Sequence, residues 1–227
     1  MAGIDLLDDL RAGPKAALAI DRYRKMARDY DASCHRIEPL RALAIQSLAL
    51  HNGEHALDVA CGTGSTVVTL AHLVGPTGRV LGIEQSPEMA DIARQRLRDA
   101  GITHAEIVTA DMREVSDSFH ADAVLCSFTH DVLQSTGAIA RIRQLSKPGA
   151  RLAILGARTL PWGLGWPVNL FVMWRARRYL TTFYGLRDPC ALLRPHCEML
   201  QLKGTWHAGT SYLAVGRFKT TRDTADG

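Results

Sequence analysis

Short apolar segments alternate with amphipathic segments from residue 55 onwards, and this alternation constrains the fold more than any other feature. The apolar segments predict β-strands at residues 55–60, 79–84, 105–111, 121–128 and 151–157. Apolar residues at helical spacing follow three of these strands, at residues 65–74, 86–101 and 132–145. Because the strand segments lack strict apolar–polar alternation, they predict a parallel sheet covered by helices on both faces. The predicted fold class is therefore α/β, with a doubly wound sheet.

The segments on either side of this block extend the predicted fold. Residues 15–29 and 37–50 have helical periodicity and are expected to form N-terminal cover helices. Residues 198–206 and 211–219 predict a closing antiparallel hairpin, which brings the mostly parallel sheet to seven strands. The sequence KPGA at 147–150 predicts a turn that leads into the fifth strand.

The length of the chain limits the number of domains. A chain of 227 residues suffices for one α/β domain with a large core but is short for two. Residues 1–219 are expected to form a single domain, with a disordered polar tail at 220–227. Tryptophans, glycines and prolines interrupt the strand–helix rhythm at residues 158–198, so this segment is expected to be an insertion.

Charge and cysteine content narrow the functional classes. The chain has 27 basic and 23 acidic residues, and its only dense basic cluster is RARR at 175–178. This balance favours small-molecule chemistry over nucleic-acid binding. The five scattered cysteines predict reduced thiols. Since the sequence lacks a secretory signal pattern and a membrane-spanning run, we expect a cytoplasmic protein.

A glycine-rich turn in the sequence LDVACGTGST, residues 57–66, joins the first predicted strand to a helix. In a parallel sheet this position lies at the carboxyl ends of the strands, where ligands bind. A phosphate-binding P-loop would need a Gly-Lys-Ser/Thr ending, which is absent. A dinucleotide fingerprint would need a third glycine, but Ser65, Thr66 and Val67 follow Gly64.

The stretch LDVACGTGS resembles the first motif of class I S-adenosylmethionine-dependent methyltransferases. Further elements of that family follow in order in the sequences VLGIEQSPEM, TADMRE, CSFTHD and LSKPGARLAI, so the resemblance spans most of residues 23–157. The N-terminal half and this motif block are similar to methyltransferases of the ubiquinone/menaquinone-biosynthesis type. The resemblance implies S-adenosylmethionine as cofactor, S-adenosylhomocysteine as product and a small-molecule acceptor.

The resemblance also implies a set of cofactor contacts. Glycines of the turn would let the backbone approach the cofactor, a carboxylate after the second strand would accept the ribose hydroxyls, and an acidic residue after the third would meet the adenine amine. Tyrosines of the cover helix would reach the cofactor from above. The implied cofactor-binding residues are Tyr23, Tyr30, Asp58, Ala60, Gly62, Gly64, Glu84, Gln85, Asp111, Met112, Ser127 and Phe128.

Each of these residues also has a structural interpretation. The glycine turn could serve only tight packing, and Glu84 could be a solvated strand end. Asp111 could be the N-cap of a helix that begins at Met112. These alternatives stay open for the single residues, whereas their order along the chain favours the cofactor interpretation.

His130 and Asp131 are the candidate catalytic residues. His130 follows the fourth strand and titrates near physiological pH, so it could serve as a general base that Asp131 orients. The alternative is that both residues cap the following helix.

The insertion is expected to roof the acceptor pocket over residues 158–185. Its aromatic content predicts an apolar or aromatic acceptor, although part of this stripe belongs to the core. The predicted substrate contacts are His130, Trp162, Trp166, Asn169 and Tyr179, with Trp174 and Tyr184 also in the roof. The sequence FVMW beside RARR also permits an interfacial helix and a lipid or quinone acceptor.

Three other functions compete with a small-molecule methyltransferase. A non-catalytic module would bind S-adenosylmethionine without turnover, and a reductase would bind a nicotinamide cofactor at Gly62. A DNA methyltransferase would carry a sequence such as NPPY after the fourth strand, where this chain has SFTH, so DNA is not expected as a partner. Cys190, His196 and Cys197 lack zinc-site spacing, and no metal is expected. A homodimer stays open.

Overall fold

A computed structural model describes residues 13–27, 29–116, 118–161, 163 and 165–220 of the chain. Seven strands in this part of the chain form one sheet in the order β3-β2-β1-β4-β5-β7-β6. The strands are β1 His55–Val59, β2 Arg79–Glu84, β3 Ala105–Thr109, β4 Ala121–Ser127, β5 Ser146–Ala157, β6 Cys197–Trp206 and β7 Ser211–Phe218.

The first five strands are parallel and the last two are antiparallel to their neighbours. β1 lies between β2 and β4, with Leu57 opposite both Leu81 and Val124. β7 inserts antiparallel between β5 and β6. The predicted doubly wound, mostly parallel sheet with an antiparallel C-terminal end is therefore confirmed.

Helices cover both faces of this sheet. Among the described residues the α-helices are α1 Ala16–Met26, α2 Tyr30–Cys34, α3 Glu38–Ser47, α4 Ser65–Val74, α5 Pro87–Asp99, α6 His130–Leu133, α7 Thr136–Gln144 and α8 Trp166–Ala176. Buried side chains of α3, α4 and α5 pack in one apolar cluster with the strands. Those of α7 pack in a second cluster. Apolar strand residues thus find helices on either side, as a buried parallel sheet requires.

Two predicted boundaries in the second half were wrong. Residues 132–145 are not one helix, because α6 ends at Leu133 and α7 begins after Ser135, whose Oγ accepts a hydrogen bond from the Ala138 N–H at 3.3 Å. The KPGA residues are not a turn outside the sheet but belong to β5. Ser146 before them pairs with Ala121, Arg151 after them pairs with Ala123, and the register shifts between these two pairs.

The segment after β5 contains α8. The sequence predicted this segment only as an insertion, without bounds for a helix. Asn169 is the one residue of α8 that is buried. None of the helices within the described residues is long and apolar enough to cross a membrane.

Candidate active site

Two adjoining cavities lie at the carboxyl ends of β1, β2 and β4. The larger has a volume of about 330 Å³ and the smaller about 50 Å³. Both are lined by Ala19, Ala60, Gln85, Asp131 and Val132, so they form one continuous cleft. The cleft occupies the position where an open parallel sheet binds its ligands.

The glycine turn forms part of the wall of this cleft. Gly62 lines the smaller cavity with a φ of 59°. Gly64 has a φ of 78°, but a Cβ built on it would lie 2.7 Å from the Cβ of Ala93 in α5. The small size of Gly64 therefore serves the close approach of a helix. The expectation that Gly64 also lets the backbone approach a cofactor stays a prediction.

Glu84 connects the end of β2 to the glycine turn. Its Oε2 accepts a hydrogen bond from the Gly62 N–H at 3.0 Å, and its Oε1 accepts one from the Ser86 N–H at 2.8 Å. Burial raises the pKa of this carboxyl group. Each carboxylate oxygen retains a lone pair for a second donor, which a ligand hydroxyl in the smaller cavity can supply.

Asp58 holds the turn from behind. It is buried, accepts a hydrogen bond from the Thr66 hydroxyl, and is not one of the described residues that line the cleft. Burial raises the pKa of Asp58 to about 7. The structure thus places Asp58 in support of the turn and of the first turn of α4, and the expectation that it also holds the cofactor stays a prediction.

Asp111 and Met112 line the larger cavity together with Gln85. The Arg113 guanidinium binds both oxygens of Asp111, from Nε at 2.9 Å and from Nη2 at 2.7 Å. The hydrogen bond from Arg113 lowers the pKa of Asp111. The carboxylate also caps the short 3₁₀ turn Met112–Glu114 by accepting from the Arg113 N–H. Asp111 therefore both caps this 3₁₀ turn and lines the cleft.

Two tyrosines of the N-terminal helices line the smaller cavity. Tyr23 and Tyr30 meet edge to face with ring centroids 6.0 Å apart. The Tyr23 hydroxyl donates a hydrogen bond at 3.1 Å to the carbonyl oxygen of Tyr179, in the segment after α8. The helix and this segment therefore form one joint cover over the strand ends.

His130 lies at the start of α6, next to Ser127 and Phe128 of the cleft wall. Its Nε2 lies 2.8 Å from the carbonyl oxygen of Tyr184. A carbonyl only accepts, so Nε2 carries the hydrogen and Nδ1 is unprotonated in the neutral ring. Burial lowers the pKa of His130, which favours that neutral ring. Nδ1 is buried and has no partner among the described residues.

Asp131 does not orient His130, in contrast to the prediction. Its Oδ2 accepts hydrogen bonds from Thr181, from the N–H at 2.9 Å and from the hydroxyl at 2.5 Å. Asp131 therefore fastens the segment after α8 to the end of β4.

Comparison with known proteins agrees with this geometry. A methyltransferase domain family matches residues 56–149, which contain the turn, Glu84, Asp111 and His130. Ubiquinone/menaquinone biosynthesis C-methyltransferase UbiE of Pseudomonas fluorescens is 30% identical over 151 residues, which are 62% of this chain and 58% of that protein. These similarities support a class I S-adenosylmethionine-dependent methyltransferase, through the methyltransferase domain matched at residues 56–149.

A second curated relative matches a shorter part of the chain. An uncharacterised 37.1 kDa protein of a Streptomyces fradiae transposon is 33% identical over 118 residues, covering 50% of this chain and 33% of that protein. The chain thus spans about a third of the length of one of these curated relatives and about three fifths of the other.

Solved structures share the fold of this chain. YcgJ from Bacillus subtilis aligns with a TM-score of 0.64 at 12% identity, over 79% of this chain and 97% of that chain. The [4+2]-cyclase SpnF aligns with a TM-score of 0.59 at 18% identity, over 81% of each chain. Since a cyclase shares the fold, the function has to be argued from the site.

The cleft of the methyltransferase suits S-adenosylmethionine, the cofactor of this class. The oxygens of Glu84 can accept ribose hydroxyls, and Asp111 offers acceptors at the far end of the cleft. Ser127 Oγ and Asp131 Oδ1 are buried and lack a partner within the described part of the chain. Buried polar atoms of this kind favour occupation by a polar ligand.

The structure brings only part of the predicted roof to the cleft. Tyr179 lines it, whereas Asn169 is buried and its amide binds Leu160, accepting from the N–H at 2.7 Å and donating to the carbonyl at 3.0 Å. Trp166 is 56% exposed. Neither Asn169 nor Trp166 lines the cleft, and their expected contacts with the substrate stay predictions. Trp162 lies outside the described residues.

Several residues of the cleft wall were not predicted from the sequence. Leu180, Thr181 and Val132 line the cleft. Contacts across about fifty residues bring Thr181 there, so no local pattern marked it. Arg113 could have been found, because a guanidinium two residues after Asp111 can reach that carboxylate.

Proposed function

We propose that this methyltransferase transfers the methyl group of S-adenosylmethionine to a small apolar or aromatic acceptor. The observation that carries the proposal is the continuous cleft, whose two parts differ in chemistry. The larger cavity presents Gln85 and Asp111, and the smaller presents Glu84 and His130 under tyrosine rings. A cofactor with its adenine beside Asp111 and its ribose at Glu84 would extend toward His130, where the acceptor would bind.

The proposed cofactor contacts follow from the walls of the cleft. When bound, S-adenosylmethionine supplies a methyl group on a sulfonium sulfur that a nucleophile can displace. Glu84 would accept the ribose hydroxyls, and Asp111 would accept the adenine amine beside Met112. Ser127 and the Gly62 backbone would line the methionine portion, with Gln85 against the adenine.

His130 is the proposed general base. His130 lines the smaller cavity with a neutral, buried ring, whose unprotonated Nδ1 has no partner among the described residues. An acceptor with a hydroxyl, amine or acidic carbon could therefore lose its proton to Nδ1 as it attacks. The lowered pKa keeps this nitrogen unprotonated at neutral pH.

The proposed acceptor is apolar or aromatic because of the cover. Phe128, Tyr23, Tyr30 and Tyr179 line the smaller cavity. Aromatic walls of this kind bury apolar ligands and exclude water from the reacting atoms. The match to UbiE adds support for a ring-containing acceptor.

Isothermal titration with S-adenosylhomocysteine, S-adenosylmethionine and NADH side by side tests the cofactor. Micromolar binding of the first two without NADH supports the proposal, and binding of NADH alone would overturn it. An acceptor screen led by phenols, quinones and hydrophobic amines then follows the formation of S-adenosylhomocysteine. Binding without product for every acceptor would favour a non-catalytic module.

Two histidine variants test the proposed base. His130→Ala is expected to retain S-adenosylhomocysteine binding and to lower kcat by about a hundredfold, the usual contribution of a general base. His104→Ala is the matched control, because His104 also binds a backbone carbonyl through Nε2, that of Ala71 at 3.0 Å. Equal kcat values in the two variants would remove His130 from the mechanism.

The cytoplasm is the proposed location. All five cysteines are buried free thiols in the structure, which is usual in a reducing compartment.

A further inference from the structure

Helix α8, Trp166–Ala176, presents its apolar side chains to solvent. Phe171 and Trp174 are each 58% exposed, and Leu170 is 49% exposed. The helix is held to the molecule through a polar residue, since Asn169 is its buried position and binds both backbone groups of Leu160. A surface helix of a soluble domain normally has the opposite arrangement, with its apolar stripe inward.

The exposed apolar residues form one continuous face. Residues 166, 170 and 174 repeat every four positions, so their side chains stack along one side of the helix. Phe171 lies beside them, with its ring centroid 6.1 Å from that of Trp174. Single exposed apolar residues are ordinary on protein surfaces, but a contiguous face with two tryptophans marks an interaction site.

The charges around this face have a single sign. Residues 158–187 contain five arginines and no acidic residue, whereas the whole chain has 27 basic and 23 acidic residues. This segment therefore carries the entire positive excess of the protein. Three of the arginines, Arg175, Arg177 and Arg178, are exposed at the end of α8, and Arg177 lies 5.6 Å from the centre of the Trp174 ring.

We propose that α8 and the adjoining Arg175, Arg177 and Arg178 form a docking surface for an anionic lipid bilayer. Tryptophan and phenylalanine would enter the interface between headgroups and acyl chains, and the arginines would pair with lipid phosphates. The uncharged run from 166 to 174 is too short to span a bilayer and suits a helix lying in its surface.

The docking surface lies next to the cleft in the chain. Two residues separate the end of α8 from Tyr179, which lines the smaller cavity and accepts the hydrogen bond from Tyr23. A bilayer on α8 would therefore lie near the cover. If the proposed function holds, an acceptor that partitions into lipid could enter from there, but binding to the bilayer does not depend on that function.

Vesicle flotation of the full chain tests the proposal. Vesicles of phosphatidylcholine alone are compared with vesicles that contain about 30 mol% phosphatidylglycerol. The protein should float with the anionic vesicles, at least about tenfold more than with the neutral ones, and high salt should reduce the difference. Equal absence from both kinds of vesicle would overturn the proposal.

Variants separate the two contributions. Phe171→Glu with Trp174→Glu should reduce binding to anionic vesicles at least about tenfold. Replacing Arg175, Arg177 and Arg178 by glutamine should remove most of the preference for anionic over neutral vesicles, because each cation near the surface contributes about fivefold. Leu202→Glu is the matched control, since Leu202 is 54% exposed on β6, and it should float like wild type.

Two further measurements distinguish lipid docking through α8 from misfolding of the variant and from self-association. S-adenosylhomocysteine titration and thermal unfolding of the Phe171/Trp174 variant should match wild type, so lost flotation with both unchanged supports docking through α8. Analytical ultracentrifugation tests a second copy as the occupant. A dimer that this variant dissolves, without vesicle binding by wild type, would overturn the lipid proposal. Wild-type flotation that survives in the variant would overturn it as well.

Discussion

The two walls of the cleft are held in different ways. The floor consists of the turns that follow β1, β2 and β4, and backbone groups fix its side chains, as when Glu84 accepts from Gly62 and Ser86. The cover consists of α1 and residues 179–184. A few polar contacts hold it, among them Tyr23 to the Tyr179 carbonyl and Asp131 to Thr181.

This difference separates two tasks. Buried strand ends with paired backbone groups hold a ligand in a fixed position, whereas a segment attached by few hydrogen bonds can open at a lower free energy. The floor is therefore suited to a constant cofactor and the cover to a variable acceptor. Four predictions test how far the floor and the cover behave independently.

The largest effect is expected from Gly64→Ala in the floor. A Cβ at Gly64 would lie 2.7 Å from the Cβ of Ala93 and 3.0 Å from its Cα, at a φ of 78°. Overpacking and a left-handed backbone together should lower the free energy of unfolding by about 2–5 kcal/mol in urea titration. Gly101→Ala is the control, because Gly101 has a φ of 65° with nothing within 4 Å of its Cβ position. Equal losses would show that helix packing does not constrain the turn.

The pH dependence of stability should also come from the floor. Burial raises the pKa of Asp58 to about 7, so the folded chain binds the proton more tightly than the unfolded chain. Stability contributed by this group falls as pH rises from about 4 to 7. The free energy of unfolding of wild type should therefore fall by about 2–3 kcal/mol, relative to that of Asp58→Asn, between about pH 5 and pH 8 in urea titration.

Asp122→Asn is the control for this pH effect. Burial opposes ionisation there, but the hydrogen bond from Lys147 prevails and lowers the pKa of Asp122. This carboxyl is ionised in both the folded and the unfolded chain between about pH 5 and pH 8, so its removal should leave the slope unchanged. If the difference in the free energy of unfolding between wild type and Asp58→Asn does not change with pH, the raised pKa of the buried Asp58 carboxyl group is contradicted.

Glu84→Ala tests the floor as a cofactor site. Loss of the hydrogen bonds to the ribose hydroxyls should weaken S-adenosylhomocysteine binding by about 1–3 kcal/mol in calorimetry. Asp111→Ala should weaken it by a similar amount through the adenine end. Glu88→Ala is the control, since Glu88 lies exposed on α5 and pairs with Arg24. Unchanged affinity in the Glu84 and Asp111 variants would show that these residues of the floor do not bind the cofactor.

The smallest effect is expected in the cover. Asp131→Ala removes both hydrogen bonds to Thr181, which should favour opening of the cover by about 1–2 kcal/mol. Trypsin should then cut after the exposed Arg177 and Arg178 about tenfold faster. Asp188→Ala is the control, because Asp188 forms only an exposed pair with Arg194. Equal cleavage rates in the two variants would show that Asp131 does not fasten the cover.

The floor could be predicted from the sequence to a greater extent than the cover. Residues 65–74 and 79–84 coincide with the observed α4 and β2, because periodicity and glycine punctuation are local signals. The turn, Glu84 and Asp111 follow strands directly, so their positions were known once the strands were. The contact of Asn169 with Leu160 could not be predicted, because Leu160 lies in a segment without periodicity.

By itself, the sequence determined the parallel α/β fold, the edge of the sheet that carries the site and the acidic residues along that edge. Each of these depends on residues close together in the chain. Only the tertiary structure decided that Gly64 leaves room for the close approach of Ala93. It also decided that Asp131 binds Thr181 and that His130 binds the Tyr184 carbonyl. The physical reason is that these contacts join residues about thirty to fifty positions apart, whose meeting depends on how helices and cover pack.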